Sequence, residues 1–174
     1  MSDDFQSHEQ AAATKLNRGL TAGRAVGRAR RITTSSNSAS TTAVAVLELD
    51  DISIKSGRLY KIETSGVLID TSVANDVGAM QIRYTTDGST PTISSTILPG
   101  AFARAKLVDA SFAESRAIHT TYTPAADQTL SLLLCVLRET GSGNVNLVAD
   151  GAAAIIEMCI YDRGEDPGDT GVDL

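Results

Sequence analysis

The sequence has no tryptophan and few other aromatic residues. Its 174 residues include three Phe and four Tyr, whereas Ala, Val, Leu, Ile and Thr are abundant. Sugars and nucleic-acid bases commonly stack on aromatic rings, so this composition disfavours a binding site for either. With 42% apolar residues the chain can still form one core. We expect that core to be a thin layer of aliphatic side chains.

Several kinds of catalytic or metal site lack the residues they need. His8 and His119 lie far apart, and neither has a second His or Cys at metal-ligand spacing, so we expect no zinc site. The sequence contains no Gly-Lys-Ser/Thr phosphate loop and no Gly-x-Ser-x-Gly nucleophile elbow. One acidic cluster is present: Asp162, Glu165, Asp166 and Asp169. Its spacing misses the calcium-loop pattern, which favours a solvated tail over a calcium site. We therefore expect neither an enzyme nor a cofactor.

The cysteines are expected to be buried, and the hydrophobic pattern indicates synthesis in the cytoplasm. Cys135 and Cys159 lie in apolar runs on neighbouring predicted strands. Buried free thiols fit this setting, and a disulfide is the alternative that the sequence leaves open. The acidic N-terminus has no apolar signal-peptide region, and no run approaches the roughly 20 apolar residues of a membrane span. We expect a soluble protein that is made in the cytoplasm and does not enter a membrane.

The net charge of −6 is divided unevenly along the chain. Residues 1–31 carry six basic and three acidic residues, which gives +3, and the remainder of the chain carries −9. The basic residues of this segment are Lys15, Arg18, Arg24, Arg28, Arg30 and Arg31. Two interpretations stay open: a solvated leader, or an arm that binds an acidic neighbouring protein. On the second, these six residues form a partner-binding site. Nucleic acid is not expected as a partner, because the acidic body would repel phosphates.

The first 42 residues differ from the rest in composition. Between residues 4 and 31 the residues favour a weak helix with a capping-box spacing at Ser7 and Gln10, which breaks up near Gly23. Residues 32–42 are polar and predict an extended linker. We therefore predict an N-terminal anchoring arm and linker over 1–42, and a β-sandwich domain with an irregular tail over 43–174.

The domain is organised around residues 129–162, where we predict three consecutive strands. The run from Leu130 to Leu137 is apolar on both faces, as in a strand that is covered from both sides. A helix over this run is the competing interpretation, and the Gly141-Ser-Gly143 connection favours a strand. Earlier strands are predicted over 44–49, 52–54, 58–64, 67–70, 78–86, 101–110 and 116–122. Short strands between turn signals indicate a mainly β, antiparallel β-sandwich or jelly roll.

Two resemblances add to this pattern. The stretch Tyr84-Thr-Thr-Asp-Gly-Ser-Thr-Pro-Thr92 resembles a strand-and-turn motif of bacterial extracellular sandwich domains, including the C-terminal accessory domain of chitobiase-like enzymes. A longer resemblance joins this stretch to Val46–Ile52, Gly57–Ile62, Leu130–Val136 and Asp166–Val172. Together they are similar to the small β-structured virion proteins of tailed phages that infect actinobacteria, which are minor tail or structural proteins. The resemblance implies a fold and a location, and it supplies no catalytic residues.

The sequence hypothesis is therefore a virion structural protein of a phage. We expect a minor tail or fibre-like component that is anchored to other virion proteins through residues 1–42 and projects its sandwich. By analogy with phage fibres and decoration proteins we expect a homo-oligomer, with a trimer favoured. A capsid decoration protein is the first alternative. A host-surface module that binds glycans is the second, although the lack of Trp argues against it.

Overall fold

A computed structural model describes residues 23–65, 67–110, 112–151 and 154–168. These residues form eleven strands and no helix, so none of the described elements is a helix long and apolar enough to cross a membrane. The strands are β1 (Arg24–Arg31), β2 (Val44–Ile54), β3 (Arg58–Ser65), β4 (Val67–Thr71), β5 (Asp76–Thr85), β6 (Ile97–Leu107), β7 (Glu114–Arg116), β8 (His119–Tyr122), β9 (Gln128–Thr140), β10 (Val145–Val148) and β11 (Ile156–Glu165).

The strands make two layers that pack face to face. One layer is a single sheet in the order β2-β9-β5-β6. The other consists of two sheets, β1-β11-β3-β8 and β10-β4-β7. These two sheets share chain segments, because β3 leads into β4, β7 into β8 and β10 towards β11. All strand pairs are antiparallel. The predicted antiparallel sandwich of jelly-roll type is therefore confirmed.

Strand β9 lies at the centre of the core and is buried on both faces. Its side chains at Leu130, Leu132, Leu134 and Val136 point between the layers. On the opposite face, Leu133 and Cys135 are buried with Ala43. Each large aliphatic side chain that is fully buried contributes about 1.5–3 kcal/mol. The prediction of a strand covered from both sides is confirmed, and the helix alternative is excluded.

The three consecutive strands β9, β10 and β11 do not lie beside one another. Strand β9 pairs with β2 and β5, β10 pairs with β4, and β11 pairs with β1 and β3. The chain crosses from one layer to the other between β9 and β10, and β10 and β11 belong to different sheets, so adjacency in sequence does not set the pairing.

The weak helix, predicted to break up near Gly23, is not found over residues 24–31, which form the edge strand β1. This strand pairs with β11 along its length, with a bulge between Ala25 and Gly27. Gly27 permits close packing of the layers, since a Cβ there would lie 2.7 Å from Cδ1 of Ile52. Ala29 packs against the core, whereas Arg28 lies exposed. Pairing with β11 outweighs the weak local preference for helix. The remainder of the predicted helix lies outside the described residues.

Residues 32–42, which we call the strap, are bound to the sandwich. Ser38 and Val145 exchange backbone hydrogen bonds of 2.7 and 2.9 Å, and the Ser35 amide donates to the Leu147 carbonyl. The Ser35 hydroxyl accepts from the Leu147 amide at 2.9 Å. Both serines are buried. The strap therefore covers the edge of β10, and β1 and the strap are both parts of the sandwich rather than a separate arm and linker.

Side chains cap other strand edges. Arg116 Nε donates to the Arg104 carbonyl on β6 at 3.0 Å, and Thr120 Oγ1 donates to the Pro99 carbonyl at 2.7 Å. Backbone acceptors on an open edge would otherwise offer a template for pairing with other chains. These caps restrict edge-to-edge association along β6.

Candidate functional site

Four of the six predicted partner-binding residues belong to β1, and the other two, Lys15 and Arg18, lie outside the described residues. Arg28 Nε donates to Glu157 Oε2 at 2.8 Å, and Arg30 Nε lies 3.3 Å from the same oxygen. The two arginine side chains are 54% and 46% exposed. Two guanidinium groups thus share one carboxylate, which leaves this part of the surface net positive. Contact with Glu157 raises the pKa of Arg28, so its charge is permanent.

Arg31 has a different role within the same strand. Its guanidinium donates to three carbonyl groups, those of Thr33 at 2.8 Å, Thr34 at 3.0 Å and Val46 at 2.8 Å. These bonds tie the end of β1 and the start of the strap to β2. Arg24, by contrast, is exposed at the start of β1, opposite Asp162 in the register. The structure therefore separates Arg31, which is used internally, from the exposed arginines.

A groove lies where β1 meets β2, and we call it the β1–β2 groove. It has a volume of about 530 Å³ and is open to solvent. Its walls are Arg30, Arg31, Thr33, Ala45, Val46, Leu47, Glu48 and Leu133. Two predicted partner-binding arginines therefore share this lining with four apolar residues and with the carboxylate of Glu48. Sequence reasoning missed the β2 residues, because a helix over residues 24–31 would not place them beside the arginines.

A second groove, the outer groove, crosses the exposed face of β11, β3 and β8. It has a volume of about 570 Å³ and is lined by Leu59, Lys61, His119, Thr120, Thr121 and Arg163. Beside it, Glu63 accepts an ion pair from Lys61, and its Oε2 lies 3.3 Å from His119 Nδ1. The hydrogen bond from Lys61 lowers the pKa of Glu63 despite partial burial, and His119 adds to the effect. The sequence predicts an irregular tail from Arg163 onward, whereas the structure places this residue in β11, and His119 was considered only as a metal ligand.

Two carboxylates of the acidic cluster near the C-terminus are bound by side chains of the same chain. Asp162 accepts two hydrogen bonds of 2.8 Å from Arg58, and Asp166 accepts one of 2.6 Å from Thr123 Oγ1. Across the described part of the chain, no group of three or more His, Cys, Asp or Glu side chains is placed to hold a metal ion. Asp169 lies outside that part. Neither the solvated tail nor the calcium site describes Asp162, because this residue belongs to β11 and neutralises an arginine.

The two cysteines are buried and free, so the disulfide alternative does not hold. Cys135 lies on β9 and Cys159 on β11, which belong to different layers. Burial raises the pKa of the Cys135 thiol to about 11. A thiol of this kind is a poor nucleophile and a small apolar filler of the core.

Comparisons with known proteins give similarities of limited extent. The profile of the family "Fn3 associated" matches residues 71–106, a range that includes the Tyr84–Thr92 motif. No curated protein matches the sequence. Among solved structures, the CBM22-1 xylan-binding domain of Xyn10C from Paenibacillus barcinonensis is 11% identical over 84% of this chain and 99% of that domain, with a TM-score of 0.41.

Two further solved structures are similar over part of their length. The VP2 subviral particle of infectious bursal disease virus is 11% identical over 81% of this chain and 37% of VP2, with a TM-score of 0.40. A family two carbohydrate esterase from Cellvibrio japonicus is 10% identical over 79% of this chain and 35% of the esterase, with a TM-score of 0.23. This chain therefore spans little more than a third of each protein, and no function follows from the similarity.

Proposed function

We propose that this protein is a structural component of a phage virion, a minor tail or fibre-like protein. In this proposal the N-terminal segment binds another virion protein, and the sandwich projects from the particle. The observation that carries the proposal is the position of β1: a basic strand at the outer edge of a sheet, reached directly from residues 1–22. Its exposed guanidinium groups, on Arg24, Arg28 and Arg30, face solvent on a chain that is otherwise net acidic.

The resemblance to phage virion proteins supports this proposal, and the residues that carry it form strands of the sandwich. Val46–Ile52 lies in β2, Gly57–Ile62 leads into β3, and Leu130–Val136 is the fully buried centre of β9. Tyr84–Thr92 covers the end of β5 and the turn after it. These four similar stretches therefore belong to one folded unit, and most of the fifth, Asp166–Val172, lies outside the described residues.

The proposed contact combines backbone pairing with charge. The outermost strand of a sheet can accept a strand from another protein, which supplies hydrogen bonds along its length. Arg28 and Arg30 would then face carboxylates of the partner, and the β1–β2 groove would take an apolar side chain next to them. Exposed ion pairs weaken as salt screens them, so binding should decrease at high ionic strength.

Truncation tests the anchoring role, and the structure sets where the truncation must end. Removing residues 1–42 would delete β1 and the strap and expose the edges of β11 and β10, so loss of assembly would reflect misfolding. Removing residues 1–22 leaves every described strand in place. We expect that variant to unfold cooperatively like the full chain and to be absent from particles. Its normal incorporation would refute anchoring by this segment.

A replacement of Arg24, Arg28 and Arg30 by Gln tests the exposed charges with the chain length unchanged. We expect reduced incorporation, with greater sensitivity to salt during assembly. A matched control is Arg104→Gln, which removes an exposed arginine from the opposite layer, where it pairs with Glu139. Equal incorporation of the triple variant and the control would contradict a role for β1.

Cryo-electron microscopy of the particle locates the protein directly. Density for the sandwich on the tail, with its N-terminal segment entering a neighbouring subunit, would support the proposal. Density on the capsid lattice would assign capsid decoration instead, and absence from the particle would refute both. We also propose a homotrimer, for which light scattering of the purified protein should give three times the 18.2 kDa mass of one chain.

A further inference from the structure

We infer that the outer groove binds an acidic saccharide, a sugar chain that carries a uronate carboxylate. The inference concerns a surface away from β1 and the β1–β2 groove. It goes beyond the proposed virion role and does not depend on it.

Charge is the first argument for an anionic ligand. The lining includes two cationic side chains, Lys61 and Arg163, and no carboxylate, on a protein whose net charge is −6. Glu63 lies outside the lining, where it pairs with Lys61 and contacts His119. Asp162, which precedes Arg163, is turned away from the groove and held by Arg58. Because Glu63 neutralises Lys61, Arg163 supplies the uncompensated positive charge of the groove, which would attract an anion.

Arg163 provides the specific recognition group. Its side chain is exposed and makes no hydrogen bond or ion pair with any residue in the described ranges. This distinguishes it from Arg28, Arg58, Arg104 and Arg116, each of which contacts a carboxylate. A guanidinium presents two parallel N–H donors that match a carboxylate, so Arg163 is prepared to bind one without losing an internal partner.

The other lining groups suit a sugar ring rather than a bare anion. Thr120 and Thr121 supply hydroxyls, and the Thr120 hydroxyl, which donates to Pro99, still has lone pairs that can accept. Leu59 offers an apolar surface for ring C–H groups. The groove crosses three strands, which places its two ends about 10 Å apart. An inorganic anion would use only the cationic end, whereas an acidic saccharide would use the whole groove.

Isothermal titration calorimetry of the full chain with trigalacturonic acid tests the inference. The matched ligand is the same trisaccharide with its carboxylates methyl-esterified, which keeps the rings and removes the charge. We expect the acid to bind at least tenfold more tightly than the ester. Arg163→Gln should weaken binding of the acid at least fivefold, and Arg104→Gln should leave it unchanged. Both substitutions replace exposed side chains, so thermal unfolding of each variant should match that of the wild type.

Three results would overturn the inference. The first is equal affinity for the acid and the ester, and the second is unchanged affinity in Arg163→Gln. The third is binding of inorganic phosphate at the same concentrations without binding of the trisaccharide, which would indicate a simple anion site. None of these results bears on particle incorporation, so the two proposals fail separately.

Discussion

Asp76 is the residue whose replacement should destabilise the sandwich most clearly. It begins β5 and is 1% exposed. Its Oδ2 accepts from Thr71 Oγ1 at 2.6 Å and from the Gly143 amide at 2.9 Å, and its Oδ1 accepts from the Ser142 amide at 3.0 Å. A Cβ at Gly141 would lie 1.8 Å from Oδ1. The carboxylate therefore holds the turn between β9 and β10 against the start of β5. The turn can come this close to the carboxylate only because residue 141 is glycine.

The geometry sets the expected cost of each substitution. In Asp76→Asn, one acceptor oxygen becomes an NH₂ group that faces an amide donor of the turn. A buried donor without an acceptor costs about 1–3 kcal/mol, so we expect the free energy of unfolding to fall by about 2 kcal/mol. Asp76→Ala leaves all three donors without an acceptor. Its cost should be about 4 kcal/mol, which few single substitutions reach.

The effect should depend on pH. Burial raises the pKa of Asp76, but hydrogen bonds from Thr71, Ser142 and Gly143 and the charge of Arg138 together hold it below the ordinary value. A carboxylate with a lowered pKa in the folded state stabilises fully above its unfolded pKa, near 4. That stabilisation is lost as the pH falls through the folded value. Asp76→Asn cannot lose it, so the difference between wild type and variant should shrink in acid.

Urea unfolding at pH 7 and pH 3 measures both effects. Asp127→Asn is the control, because Asp127 pairs with Lys55 where both side chains are more than half exposed. We expect it to cost less than about 1 kcal/mol. The reasoning would be refuted if Asp76→Asn matched this control at pH 7, or if its effect were the same at both pH values.

Three further predictions concern packing, β1 and the thiols. In Gly78→Ala the new Cβ would lie 2.8 Å from Cγ1 of Val145, in the space between the layers. Urea unfolding should therefore show a loss of about 1–3 kcal/mol in the free energy of unfolding, and an unchanged midpoint would contradict this. Glu157→Gln removes the carboxylate that two arginines of β1 share, so hydrogen exchange should quicken in β1 and not in β9. Cys135 is buried and has a pKa of about 11, so at pH 8 it should react with a thiol reagent far more slowly in the folded protein than in urea. Fast labelling of the native state would count against its burial.

The sequence predicted most strands of the sandwich because burial leaves a period-2 pattern. Val145 and Leu147 alternate with polar residues along β10, and Leu130–Leu137 is apolar on both faces because β9 is covered twice. Gly141-Ser-Gly143 was identified as a turn from glycine alone. Its dependence on Asp76 was not visible, since that carboxylate arrives from a residue far away in the chain.

The outer groove could not be predicted, because its residues come from three strands whose register is set by tertiary pairing. Lys61 lies opposite Tyr161 of β11 on one side and Thr121 of β8 on the other. A shift of one residue in either pairing would turn these side chains towards the core. No local pattern specifies that register, so a lysine, a histidine and an arginine far apart in sequence gave no signal as a group.

The arginines of β1 show how a functional set depends on secondary structure. On a helix, Arg24, Arg28 and Arg31 would share one face, since residues four and seven apart nearly align. On a strand, Arg28 and Arg30 share the outer face and Arg31 points the other way, where it binds three carbonyl groups. Their role in binding a partner stays a prediction, and the strand divides the four described arginines into two groups. Arg31 secures the strap and β2, and the outward arginines are the ones that a partner can reach.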